Sequence, residues 1–99
     1  MITQLRIYTI NRGQLEEFVE VWRKGVVPLR RSQGFQVLSS WIVPETNQFV
    51  WVLGYDGPMS WEDKDRAYYD SPERRSMDPD PGRWIARTEL FFVQSGGVG

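Results

Sequence analysis

The middle of the chain has the pattern of a β-hairpin, and this most limits the folds open to it. Phe35–Val43 and Gln48–Asp56 are rich in Phe, Val, Trp and Ile, and the four residues Pro44–Asn47 between them suit a short hairpin loop. In the second strand, alternation places larger residues on one face and smaller ones on the other. The larger are Phe49, Trp51, Leu53 and Tyr55, and the smaller are Val50, Val52 and Gly54. We expect the smaller face to pack against helices.

A strand and a helix precede the hairpin. Residues 2–9 alternate, with Leu5 and Ile7 on one face and Gln4, Arg6 and Tyr8 on the other. Asn11 is expected to cap a helix whose apolar residues recur at helical spacing from Leu15 to Val26. Pro28 predicts a kink near Val26, and Gly34 suits the left-handed residue that ends the helix.

A second helix and a last strand follow the hairpin. Ser60, with Asp63 three residues later, can cap a helix to about Asp70, and Ser71-Pro72 can start a short helix through Arg75. Residues 78–82 read as a compact loop and 84–93 as a strand. The order β-α-β-β-α-β predicts a ferredoxin-like α+β sandwich, with a four-stranded antiparallel sheet and two helices on one face. We expect one domain over residues 1–94 and a flexible tail over 95–99.

The absence of cysteine and histidine limits the chemistry of the chain. Disulfides, thiolate metal sites, Ser-His-Asp and Cys-His relays and histidine-ligated metals or haem are excluded. Asp63, Asp78 and Asp80 do not form an EF-hand pattern. We therefore predict no metal site and no cofactor.

The net charge of −1 offers no general attraction to nucleic acid or anionic lipid, so we expect neither as a partner. No apolar run approaches the roughly 20 residues of a membrane helix, and no secretory leader is evident, so we expect a cytoplasmic protein. A chain of 99 residues is short for a large core of its own. A bare sheet face carrying Phe49, Trp51 and Phe91 predicts a homodimer that pairs through it.

Four segments of the sequence resemble the NIPSNAP family of the dimeric α/β-barrel superfamily. Leu5–Thr9 resembles its "LRxYT" strand, Asn11–Phe18 its "xxGxLxEF" helix entry, and Trp22 with Pro28-Leu29 its "W…xPL" helix. The stretch from Gly34 to Tyr55 resembles its "GF…W…NxxxxLWxYxS" pattern, although Trp51 precedes Leu53 by two positions instead of following it. The likeness covers about residues 3–70 and does not extend to the loop Met77–Arg83.

The resemblance implies a homodimer whose two sheets pack into a barrel, with a pocket between a sheet and its helices or at the barrel mouth. It implies no single chemistry, because the superfamily includes cofactor-free monooxygenases, haem-degrading enzymes, isomerases and proteins without known catalysis. A haem-degrading role is disfavoured here, since the chain has no histidine.

Two groups of residues are candidates for a site. Arg6 and Tyr8 on the first strand, with Arg87 and Glu89 on the last, are expected to share the bare face and could orient an anionic or phenolic ligand. The alternative is a cross-strand Arg–Glu pair that only satisfies itself at a dimer interface. The second group could form an aromatic wall against which a ligand binds, and the alternative is that these residues serve only core and interface packing. It consists of Trp41, Trp51, Tyr55 and Phe91.

The sequence therefore predicts a homodimeric protein that binds a small aromatic or anionic molecule. One alternative is a cofactor-independent monooxygenase or oxidoreductase that acts on an aromatic substrate, with negative charge stabilised by arginine in a dry pocket. Another is a non-catalytic interaction module in which the aromatic residues serve only an interface.

Overall fold

A computed structural model describes residues 1–98. These residues form four strands and four helices, with a π-helical turn at Trp22–Val26 and 3-10 turns at Pro44–Thr46 and Pro81–Trp84. The strands are β1 (Ile2–Ile10), β2 (Phe35–Val43), β3 (Gln48–Tyr55) and β4 (Ile85–Phe92). The helices are α1 (Leu15–Val21), α2 (Val27–Ser32), α3 (Trp61–Asp70) and α4 (Pro72–Arg75).

The strands form one antiparallel sheet in the order β2-β3-β1-β4. Every neighbouring pair is antiparallel, and β1 lies between β3 and β4. The predicted ferredoxin-like α+β fold, with a four-stranded antiparallel sheet, is confirmed. Residues 95–98 of the predicted tail lie outside helices and strands, and Gly99 lies outside the described residues.

The first helical segment runs from α1 through the π-helical turn into α2, with right-handed helical backbone at both junctions. The π-helical turn ends two residues before Pro28, so the predicted irregularity is present, with a π-bulge as its form. The prediction that Asn11 caps the first helix is wrong, because α1 begins at Leu15 and its N-terminus has no side-chain cap. Gly34 follows α2 with φ +91°, as predicted.

The second helical segment, which consists of α3 and α4, begins as expected. The Ser60 hydroxyl accepts a hydrogen bond from the Asp63 backbone N–H at 3.2 Å and caps α3. The Ser71 hydroxyl caps α4 in the same way, from the Arg74 N–H at 3.2 Å. None of the helices within residues 1–98 has the length and apolar character that a membrane crossing requires.

The two sheet faces are the reverse of the prediction. Phe49, Trp51, Leu53 and Tyr55 are buried on the face that the helices cover, where Phe49 and Trp51 pack edge-on against Trp22. The smaller Val50 and Val52 lie on the open face. The physical reason is burial: the aromatic face removes more apolar area from water when the helices cover it than the valine face would.

The open face carries two rows of side chains across the sheet. Strand register aligns the first row as Trp41, Val50, Ile7 and Glu89, and the second as Ser39, Val52, Leu5 and Phe91. Trp41 is 53% exposed and Phe91 is 49% exposed, and Leu38 beside the second row is also exposed. A large apolar surface thus lies on the sheet side that no helix covers.

Candidate functional site

A small cavity lies between the sheet and the helices. Its volume is about 30 Å³, which is enough space for one or two water molecules. Its wall is formed by both helical segments, by strands β1 and β3 and by the turn before β4. It is lined by Tyr8, Phe18, Trp22, Val26, Arg30, Trp51, Tyr68, Tyr69, Arg74, Pro81, Gly82 and Ile85.

Arg6 lies beside this cavity at the centre of a buried hydrogen-bond network. Its Nε donates to the Tyr8 hydroxyl at 2.9 Å, its Nη1 to the Gln4 side-chain oxygen at 2.7 Å, and its Nη2 to the Tyr69 hydroxyl at 3.0 Å. Because its donors are satisfied in this way, a guanidinium that is only 3% exposed is tolerated in the core.

Arg30 is the second buried guanidinium of the site and is 1% exposed. Its carbon Cζ lies 3.6 Å from the centroid of the Tyr68 ring, and its Nη1 donates to Asp65 Oδ1 at 2.7 Å. The same Asp65 oxygen lies 3.8 Å from Arg6 Nη1. Two buried arginines therefore share one carboxylate.

Three residues that line the cavity each carry a buried polar atom without a hydrogen-bond partner within the described residues. The atoms are Trp22 Nε1, Arg30 Nε and the Tyr68 hydroxyl oxygen. The Trp51 indole N–H, by contrast, has the Tyr8 hydroxyl as its acceptor. Two of the three unpartnered groups are N–H groups that can only donate, and the hydroxyl can also donate. A buried donor without an acceptor costs about 1–3 kcal/mol, and an acceptor placed beside these groups would remove that cost.

The ionisable groups keep the protonation states that such a site needs. Burial raises the pKa of Tyr8, against the opposing charge of Arg6. Burial also raises the pKa of Tyr68, against Arg30 and Arg74. Burial acts to lower the pKa of Arg6, but Tyr8, Tyr69 and Asp65 act to raise it, and the result is a raised pKa. The phenols are thus neutral and Arg6 charged near neutral pH.

Tyr69 and the turn before β4 form the mouth of the cavity. Tyr69 is partly exposed, and its ring lies 5.4 Å from the Arg74 guanidinium carbon. Arg74 Nη2 forms an ion pair with Asp80 Oδ1 at 3.0 Å, which joins α4 to the turn that contains Pro81 and Gly82. The loop 77–83, which the family resemblance does not cover, therefore helps to close the cavity.

The predicted site residues fall on both sides of the sheet. Arg6, Tyr8 and Trp51 lie together on the helix-covered face, so their placement on the bare face was wrong. Tyr55 shares their face but does not line the cavity, and its hydroxyl accepts from the Met59 N–H at 3.2 Å.

The other candidates lie on the open face, away from the cavity. Register pairs Arg87 with Thr9, Glu89 with Ile7 and Phe91 with Leu5. Arg87 Nε lies 3.6 Å from Glu89 Oε1, so the two form an ion pair within β4 and not the cross-strand Arg–Glu pair of the alternative. Trp41 pairs with Val50 on the same face. The structure thus does not bring Arg87, Glu89, Trp41 and Phe91 to the residues around Arg6.

Sequence reasoning missed Arg30, Asp65, Tyr68 and Tyr69 as site residues. Arg30 follows Phe18, Trp22 and Val26 at steps of four, so it continues the core-facing positions of the first helical segment. Asp65 and Tyr68 follow Trp61 at steps of four and three, on the inner face of α3. Charged residues at such positions are the signal that could have identified the site.

The arrangement suits binding and charge stabilisation, not metal chemistry. Within residues 1–98, no three His, Cys, Asp or Glu side chains are placed to hold a metal ion. The cavity instead offers N–H and O–H donors beside two guanidiniums, which can hold an oxygen atom that bears negative charge.

Comparisons with solved structures agree with this fold. A NIPSNAP domain protein from Burkholderia xenovorans aligns with a TM-score of 0.80 and 18% identity over 96% of this chain and 94% of its own. A NIPSNAP family protein from Agrobacterium tumefaciens aligns with a TM-score of 0.81 and 15% identity over 94% of this chain and 90% of its own.

An antibiotic biosynthesis monooxygenase is also similar, with a TM-score of 0.67 and 9% identity over 96% of this chain and 98% of its own. No protein-family model and no curated protein matches the sequence. The structural likeness confirms the fold predicted from the NIPSNAP resemblance.

Proposed function

We propose that this chain is a NIPSNAP-type protein that binds a small aromatic or anionic molecule in the cavity beneath its helices. The observation that carries the proposal is the set of three unpartnered polar atoms, on Trp22, Arg30 and Tyr68, whose residues line one cavity. A core that served only stability would pair these groups or replace them with apolar ones.

The size of the cavity sets how a ligand would bind. A volume of about 30 Å³ accepts only the polar head of a molecule. The remainder would lie at the mouth, against Tyr69 and the guanidinium of Arg74. An aromatic ring suits this position, because it can stack on Tyr69 and face a cation.

The proposal includes a homodimer formed through the open sheet face. Leu38, Trp41 and Phe91 are each more than 40% exposed there, and they lie beside the apolar residues of β1 and β3. A second copy would cover this surface with an identical one and remove it from water. The cavity lies on the other side of the sheet, so each protomer would carry its own site.

Native mass spectrometry of the purified protein tests ligand binding. We expect a small molecule to be retained in gentle conditions and released on denaturation, or to be captured from a library of phenols and aromatic acids. Trp22→Phe, which keeps a ring but removes the unpartnered N–H, should reduce retention. Trp61→Phe, at a buried tryptophan outside the cavity, should not. Failure to capture any compound would contradict the proposal and favour an interaction module.

A second candidate is a cofactor-independent monooxygenase acting on an aromatic substrate. The observation that favours it is Arg30 on the Tyr68 ring in a site shielded from water, together with the fold shared with an antibiotic biosynthesis monooxygenase. The substrate would be held as a phenolate whose charge the arginines stabilise, and it would itself supply the electrons that reduce O₂. Oxygen consumption with anthrone- or hydroquinone-like compounds, lost in Arg30→Lys, is the expected result.

A further inference from the structure

We infer that the head group bound in the cavity is a carboxylate. The inference deepens the proposed function and rests on it, because it assigns the chemical class of the ligand at the same site. Two features carry it: the charge balance of the buried groups, and the donor-only character of the unpartnered atoms.

The buried charges at the site leave one positive charge without a partner. Arg6 and Arg30 are 3% and 1% exposed and share Asp65. Among residues 1–98, no other carboxylate lies within 4.0 Å of either guanidinium. Arg74 is the remaining nearby cation, and Asp80 neutralises it. A buried charge without a counter-ion is costly, and one monoanion would neutralise it.

The unpartnered atoms require the same chemistry. The unpartnered indole N–H of Trp22 and the unpartnered Nε–H of Arg30 have no acceptor capacity. A water molecule has two lone pairs, whereas a carboxylate has about four acceptor sites on two oxygens and carries the missing charge. The carboxylate therefore satisfies more of these donors than a single water can.

Size and charge together disfavour phosphate. A phosphate monoester carries about −1.5 to −2 charges near neutral pH, which would exceed the single unpaired positive charge. Its tetrahedral group is also larger than a planar carboxylate in a cavity of about 30 Å³. The site thus favours a planar monoanion.

Indole N–H resonances in ¹H–¹⁵N NMR spectra give a readout at the site itself. Acetate and benzoate are the probes, acetamide and benzamide are their uncharged counterparts, and sodium chloride controls for ionic strength. We expect the carboxylates, but not the amides or chloride, to shift the resonances of Trp22 and Trp51. The resonance of Trp61, outside the cavity, should stay in place. Substitution of each tryptophan by phenylalanine assigns the signals.

Donor removal then tests the contacts. Trp22→Phe and Tyr68→Phe each remove one unpartnered donor and keep a ring, so benzoate should bind about tenfold more weakly to each. Trp61→Phe should bind benzoate as the wild type does. Unchanged benzoate affinity in both site variants, each shown to be folded by its NMR spectrum, would overturn the inference.

The outcomes separate this inference from the proposed function. If benzamide shifts the Trp22 and Trp51 signals as strongly as benzoate, the carboxylate assignment is wrong but ligand binding stands. If no carboxylate shifts them while library compounds bind, the assignment again fails alone. If neither probes nor library compounds bind, both fail.

Discussion

Arg6 and Trp51 lie directly opposite each other on neighbouring antiparallel strands, with the guanidinium carbon 5.6 Å from the centroid of the indole ring. This cation–π pair lies beneath the helices, where its attraction is less weakened by water than on a surface. A charged residue thereby becomes part of the aromatic core. It also brings a second positive charge to the cavity that Arg30 lines.

Asp65 is the carboxylate that makes the two buried arginines tolerable. Asp65→Asn would leave both without an anion, so we expect the free energy of unfolding to fall by about 3 kcal/mol. Chemical denaturation measures this loss. Asp63→Asn on the same helix is the control, because it removes only an exposed ion pair with Arg66 and should cost at most about 1 kcal/mol. Equal losses in the two variants would contradict this role of Asp65.

The open sheet face should determine the oligomeric state. Trp41→Arg places a charge in its first row, and we expect the dimer to dissociate into monomers in analytical ultracentrifugation. Ile42→Arg is the matched control, because Ile42 is similarly exposed and adjacent in sequence but lies on the opposite side of the strand. A wild-type protein that is monomeric at micromolar concentration would refute the proposed dimer.

Tyr8 and Tyr68 should ionise later than free tyrosine, whose pKa is about 10. Between pH 10 and the raised pKa of each group, the unfolded chain has lost a proton that the folded chain retains. The contribution of these phenols to stability is thus complete below about pH 10 and is lost as the pH rises through the raised pKa.

Ultraviolet absorbance titration should show Tyr8 and Tyr68 ionising above the ordinary tyrosine pKa. In Tyr8→Phe the absorbance change from late-ionising phenols should fall by one residue, and stability should decline less steeply above about pH 10. An unchanged titration curve at high pH in Tyr8→Phe would exclude this account of Tyr8.

Gly57 permits the close approach of the turn after β3 to the Tyr55 ring. A methyl group at this position would overlap the Tyr55 phenol, whose hydroxyl accepts from the Met59 N–H. Gly57→Ala should therefore lower the free energy of unfolding by about 1–3 kcal/mol. Gly96→Ala, where an added methyl group has no neighbour within 4 Å, should leave the melting temperature unchanged. A neutral Gly57→Ala would show that the turn shifts freely.

The sequence predicted the element order because each element depends on local rules. The loop Pro44–Asn47, the Ser60 cap and the left-handed Gly34 all act within a few residues, and all are present. Alternation in β1 also separated Leu5 and Ile7 from Arg6 and Tyr8, but alternation alone does not show which face the helices cover.

The choice of face depended on contacts that are distant in sequence. Arg6 is accepted inside because Tyr69, 63 residues later, takes its hydrogen bond, and Arg30 because Asp65 lies 35 residues later. Neither partner lies close enough in sequence to be paired by local periodicity. The polar half of the site therefore emerged only from the folded arrangement.

A high-resolution crystal structure of the protein as purified tests the central claim most directly. We predict ordered density in the cavity, within hydrogen-bond distance of Trp22 Nε1 and Arg30 Nε, from a ligand head group. A cavity that is empty or collapsed, with these N–H groups turned to acceptors of the protein itself, would contradict the account.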